Sequence, residues 1–135
     1  MSDRPPSSES LPRPFGRYVL FDEIGEGGMA RLFLGRHSTE LGGERLVVVK
    51  QILPILASSQ EFSRLLIEEA KLAAGLSHGN IAQVIDLGRV GDVLYIAMEY
   101  VEGFDLSALL KRCSRTKTAL PIEFSLLVMI ETLRA

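Results

Sequence analysis

Two runs rich in aliphatic, aromatic and β-branched residues, Tyr18 to Ile24 and Ala30 to His37, suit strands, and the glycine-rich stretch between them reads as the turn that joins them. A second turn is expected over Thr39 to Gly43, with Gly42-Gly43 leading into a strand from Arg45 to Lys50. Pro54 then interrupts the pattern. Helical spacing over Gln60 to Leu76 predicts one helix, and Ile81 to Val90 with Val93 to Tyr100 predict a hairpin across Gly91-Asp92. Two further helices are expected at Asp105 to Arg112 and Pro121 to Leu133. Five strands with a helix inserted after the third, followed by helices, describe an α+β lobe and the beginning of something helical. Met1 to Pro14 holds four prolines and four serines with Leu11 as its one large apolar residue, so it reads as a flexible lead, and the fold is expected to start near Phe15. There is no internal repeat.

The helix over Gln60 to Leu76 carries an anomaly. Its apolar positions Phe62, Leu65, Leu66, Leu72, Ala73 and Leu76 follow the 3.6-residue period, and Glu69 falls inside that stripe. Glu68, by contrast, shares a face with Glu61, Arg64 and Lys71, an ordinary solvated side. A carboxylate held against an apolar sheet costs several kcal/mol unless a cation meets it. Lys50 is the candidate cation, because strand alternation sets it on the same face as Val48 and Leu46. The alternative is that Glu69 reaches solvent at the rim of the lobe.

The first turn, Gly25-Glu26-Gly27-Gly28-Met29-Ala30, has its own chemistry. Glycine lets a backbone pass close to a phosphate with no side chain in the way, and a lysine farther along supplies a fixed positive charge. On its own such a turn is a weak signal, since dinucleotide folds use similar ones. A dinucleotide turn opens a helix, however, whereas Ala30 to His37 continues as a strand, and no Gly-Lys-Ser/Thr follows to make a phosphate-binding P-loop.

Composition narrows the class without naming it. A chain of 135 residues that is 47% hydrophobic and 24% charged can bury a core and reads as a globular unit. Its net charge of −2 offers neither a basic field for nucleic acid nor a polybasic patch for a membrane. No apolar run approaches the roughly 18 residues that span a bilayer, and a cytoplasmic location is expected. Cys113 is the single cysteine, so no internal disulfide can form, and it reads as an ordinary thiol despite Arg112 and Arg115 nearby.

From Tyr18 onward the chain resembles the N-terminal lobe of a eukaryotic-like protein kinase, most nearly the bacterial serine/threonine kinases. Gly25, Gly27 and Ala30 match the three positions of the glycine-rich loop, Leu32 stands at its valine, and Val47-Val48-Val49-Lys50 matches the Val-Ala-Ile-Lys strand. Glu69 falls at the glutamate of helix C, nine residues before His78 in Leu76-Ser77-His78-Gly79-Asn80-Ile81, which is similar to the family's Leu-x-His-Pro-Asn-Ile. Met98-Glu99-Tyr100-Val101-Glu102-Gly103 resembles the gatekeeper and hinge. The resemblance implies a five-stranded antiparallel sheet with helix C over 15–98, a hinge over 99–104 and the start of a helical lobe over 105–135. It implies a Lys50–Glu69 pair for catalysis. It also implies an ATP site of Ile24, Gly25, Glu26, Gly27, Gly28, Met29, Ala30, Leu32, Val48, Lys50 and Met98, with adenine bonded to the backbone of Glu99 and Val101 and ribose to Asp105. Ala30 departs from the third glycine, Val48 from the small residue above adenine, Ala73 from a larger apolar residue in the packed column behind Glu69, and Gly79 from proline.

The catalytic-loop His-Arg-Asp, the Asp-Phe-Gly and the Ala-Pro-Glu of that family do not occur in this chain. They supply the base, the ligands of Mg²⁺ and the substrate platform, so no metal ligand is assigned here and the 135 residues alone are expected to be inactive. Pro121 to Ala135 aligns with the start of the family's helix E, as in a truncated reading frame. Its apolar residues wrap most of the way round, which predicts self-association through that helix. The expected function is the ATP-binding part of a kinase that transfers the γ-phosphoryl group to serine or threonine of a protein substrate. The alternatives are a pseudokinase-like or regulatory binding module, and an inert gene remnant.

Overall fold

The computed structural model describes residues 10–38 and 42–135. Its strands are β1 (Arg13–Phe15), β2 (Tyr18–Glu26), β3 (Ala30–Ser38) and β4 (Glu44–Ile52); helices α1 (Pro54–Ala57) and α2 (Gln60–Ala74) follow. Then come β5 (Val84–Val90), β6 (Val93–Glu99), α3 (Leu106–Thr116) and α4 (Ile122–Leu133). The strands form one antiparallel sheet in the order β1-β2-β3-β4-β6-β5.

Six strands stand where five were expected. The extra one, β1, is three residues long and pairs Arg13 with Leu20 and Phe15 with Tyr18, two residues before the expected start of the fold. It contains Pro14, which an edge strand tolerates because one side of its backbone needs no partner. Gly16 makes the return turn at φ +57°, where a side chain would be strained. Of the expected turn over Thr39 to Gly43, residues Thr39 to Leu41 lie outside the described residues, as do Met1 to Glu9 of the lead. Pro54 does more than interrupt: it opens the short helix α1, where its missing N–H costs nothing.

One face of the sheet carries the larger core, Phe15, Tyr18, Leu20, Phe33, Val47, Val49, Tyr95 and Ala97, with Leu11, Ile85, Val90 and Val93 packed against it. The opposite face carries Ala30, Ile52 and Leu94, covered by Leu56 and Ala57 of α1 and by Phe62 and Leu66 of α2. Alternation along β4 divides its residues between the two, so Val47 and Val49 serve the first core while Val48, Lys50 and Ile52 belong to the helix side.

α2 turns a different face to the sheet than the spacing of its large residues suggests. Ser59 caps it, accepting from the Phe62 N–H at 3.3 Å, and its buried residues are Ser63 and Ala70. Leu65 and Leu76 are each 52% exposed and Leu72 is 76% exposed. Small side chains let the helix approach closely, and the Ser63 hydroxyl is satisfied by donating to the Ala57 carbonyl at 3.1 Å. A count of large apolar residues misses a contact made by serine and alanine.

Candidate nucleotide site

Strand register brings the glycine turn and Lys50 together. Gly25 lies opposite Leu32, Leu32 opposite Lys50, and Lys50 opposite Ile96, so one row crosses β2, β3, β4 and β6. The next row on the same face runs Leu34, Val48, Met98 and Val84. Directly opposed residues share a face, and the result is an apolar surface of Leu32, Val48 and Met98 with one ammonium group, Lys50, set among them.

The turn over Gly27 to Met29 closes with the Gly27 N–H on the Ala30 carbonyl at 2.9 Å, and Met29 accepts from Leu53 at 3.0 Å. Its base is braced by Arg31, which donates to both carboxylate oxygens of Glu23 at 2.9 and 2.6 Å. That hydrogen bond holds the Glu23 carboxyl below its ordinary range. Sequence reading missed this pair, although a two-residue offset across a hairpin with opposite charges was visible.

Gly25, Gly27 and Gly28 are not among the residues at positive φ. A Cβ at Gly28 would meet nothing within 4 Å, at Gly27 only the Ala30 carbonyl at 3.9 Å, and at Gly25 the Leu32 side chain at an ordinary 3.4 Å. Neither backbone strain nor internal crowding therefore requires glycine at these positions. What their bareness leaves is open space around the backbone of the turn. Ile24, Glu26 and Met29 flank the turn and are exposed, while Ala30 is buried beneath it.

Lys50 is half-buried and Glu69 is exposed on α2; among the described residues no ion pair joins them. Glu69 sits in a stripe with Leu65, Leu72 and Leu76 that faces solvent. At the far edge, the Glu99 N–H donates to the Gln83 carbonyl at 2.8 Å and the Glu99 carboxylate accepts from the Gln83 N–H at 3.2 Å. Val101 is 66% exposed. Asp105 has a definite structural part, capping α3 by accepting from the Ala108 N–H at 2.6 Å. That bond engages its Oδ1.

Among the described residues no three His, Cys, Asp or Glu side chains cluster as metal ligands, and no helix is long and apolar enough to cross a membrane. A groove of about 510 Å³ between α2 and β5, lined by Ser63, Arg64, Ile67, Lys71 and Arg89, lies apart from the glycine turn and Lys50.

The model of the protein kinase domain matches residues 18–135. This chain belongs to the protein kinase domain family. Over 124 residues the kinase chain is 40% identical to the tyrosine-protein kinase MasK of Myxococcus xanthus, covering 92% of this chain and 19% of that protein. It is 41% identical over 91 residues to the serine/threonine-protein kinase PrkC of Bacillus subtilis, covering 67% of this chain and 14% of that one. Among solved structures, the kinase domain of Mycobacterium tuberculosis PknI superposes with a TM-score of 0.73 at 28% identity, covering 91% of this chain and 48% of that domain. The α+β kinase N-lobe architecture expected from the motifs is the observed one, and the chain spans the N-terminal part of the kinase domain.

Proposed function

We propose that this chain is the ATP-holding part of a protein kinase that transfers the γ-phosphoryl group to protein hydroxyls. The observation that carries the proposal is the row Gly25–Leu32–Lys50–Ile96, which sets side-chain-free backbone and a half-buried ammonium on one face beside an apolar floor. The glycine turn would receive the phosphates, Lys50 would hold them by charge, Leu32, Val48 and Met98 would pack against one face of the base, and Glu99 and Val101 would bond its edge. Asp105 would meet the ribose. Relatives named as serine/threonine kinases favour serine and threonine as acceptors, and the tyrosine-kinase relative makes tyrosine the competing acceptor. In complete kinases Mg²⁺ screens the phosphates; its ligands are expected outside these 135 residues.

The Lys50–Glu69 pair enters this reading as a state reached by movement. Turning α2 by roughly 100° about its axis, about one residue's worth of helical rotation, would carry the Leu65–Glu69–Leu72 stripe toward the sheet. A cytoplasmic setting accords with the chemistry, since ATP is a cytoplasmic substrate.

A second reading, a docking module that transfers no phosphate, draws support from that exposed stripe and from the exposed Leu126, Leu127, Met129 and Ile130 of α4. Calorimetric titration with ATP separates the two. The kinase reading expects heat of binding that Lys50→Met reduces about tenfold in affinity, the worth of one charge-assisted contact. Absence of binding in the wild-type chain, or binding indifferent to Lys50→Met, favours the docking module.

A further inference from the structure

The end of β6 departs from a regular ladder in a way that serves the hinge. Val84 pairs with Met98, so one step further Gln83 stands opposite Glu99. A regular antiparallel pair at that step would exchange two bonds, each N–H donating to the other residue's carbonyl. Here one bond is made, from the Glu99 N–H to the Gln83 carbonyl at 2.8 Å. The other is not: the Gln83 N–H goes to the Glu99 carboxylate at 3.2 Å. The side chain of Glu99 has taken the donor that its own backbone carbonyl would have used.

We propose that the Glu99 carboxylate is a positioning group that frees the Glu99 carbonyl from the sheet and so makes the hinge selective for a purine bearing a 6-amino group. The inference rests on the hinge reading above and adds to it a role for the side chain. A carbonyl is an acceptor, so it rewards the exocyclic amine of adenine, a donor, and opposes a 6-oxo purine, whose oxygen is itself an acceptor. With Glu99 shortened to alanine, the Gln83 N–H has no carboxylate to meet and turns to the carbonyl at position 99. The ladder then closes by one more bond, and the carbonyl, with one of its two lone pairs engaged and its direction fixed along the ladder, becomes a weaker acceptor for the base.

Inosine triphosphate carries the same ribose and phosphates as ATP but has a 6-oxo group and an N1–H where adenine has a 6-amino group and a bare N1, so the ratio of the two reads the hinge as a whole and the change in that ratio on substitution of Glu99 reads its carbonyl. NMR titration of the wild-type 135-residue chain with each is expected to give about tenfold preference for ATP, the worth of one hydrogen bond gained against one opposed. Glu99→Ala is expected to shrink that preference about threefold by weakening ATP while leaving inosine triphosphate unchanged. Glu99→Gln, which keeps an acceptor oxygen for the Gln83 N–H, is expected to retain the preference. Undiminished ATP preference in Glu99→Ala overturns the proposal, as does an equal loss of both nucleotides, which would mark a purely structural side chain. A wild-type chain that binds the two equally, or binds neither, overturns the hinge reading itself and this inference with it.

Discussion

Tyr18 donates its hydroxyl to Asp86 at 2.9 Å, joining β2 to β5 across 68 residues of sequence. Tyr95 donates to the same carboxylate oxygen, also at 2.9 Å, and the two rings meet edge to face with centroids 5.8 Å apart. Arg17 lies 3.6 Å from that oxygen but is mostly exposed, so it adds little. Two buried phenols thus depend on one acid. Burial raises the Asp86 pKa, but the hydrogen bonds from Tyr95 and Tyr18 outweigh it and hold the group below its ordinary value. Burial, then the bond to Asp86, pushes Tyr95 up to about 12, and the same causes raise Tyr18.

Asp86→Ala is therefore expected to destabilise the fold by roughly 2–4 kcal/mol, because two buried hydroxyls lose their acceptor. Urea unfolding measures this. The pH dependence has a definite sign on each side. The depressed Asp86 gives stability that is present above about pH 4 and lost as pH falls through its lower native value. The raised tyrosines give stability that is complete below about pH 10 and lost as pH rises toward 12. Tyr95→Phe should flatten the alkaline limb, and an unchanged alkaline limb would count against the shared-acid account.

α4 buries no residue, and Leu126, Leu127, Met129, Ile130 and Leu133 are 47–84% exposed. A polar tie joins it to the connection between α2 and β5: Asn80 donates to the Glu131 carbonyl at 2.8 Å and to its carboxylate at 2.7 Å. Covering such a surface is worth about 25 cal/mol per Å², so the chain is expected to self-associate. Ending it near Arg115 should restore a monomer. Size-exclusion chromatography with light scattering checks this, and a monodisperse full-length monomer with strongly protected amides over 126–130 would contradict it.

Because no ion pair joins Lys50 to Glu69, the two residues should respond differently to substitution. Glu69→Gln is expected to change ATP affinity of this chain by less than about twofold, against about tenfold for Lys50→Met. Equal losses in both variants would mean that nucleotide binding itself rotates α2 and forms the pair.

The strands were legible because hairpins declare themselves locally, through Gly91-Asp92 and the glycine turn flanked by apolar runs. β1 was not, since three residues with a proline carry no periodicity, and only its pairing with Tyr18 to Leu20 makes it a strand. The row through Gly25, Lys50 and Ile96 followed from alternation once the register was known. The orientation of α2 did not, because Ser63 and Ala70 form its inner face and their contribution lies in being small. Asp105 was singled out for a ligand, whereas its hydrogen bond to Ala108 shows a cap that three-residue spacing could have suggested. The Gln83–Glu99 exchange could not be read at all, for it depends on a ladder failing at one step.

The central claim is that the glycine turn, Lys50 and the hinge form one nucleotide site. Amide chemical-shift mapping of the ¹⁵N-labelled chain during ATP titration tests it most directly. The account predicts saturable shifts confined to Gly25–Ala30, Val48–Lys50 and Glu99–Val101, with a dissociation constant near 1 mM, roughly −4 kcal/mol, because one lysine and a backbone turn offset only part of the phosphate charge. Lys50→Met should remove the shifts at the turn. Shifts centred on the groove between α2 and β5, or a constant below about 10 μM that survives Lys50→Met, would contradict it.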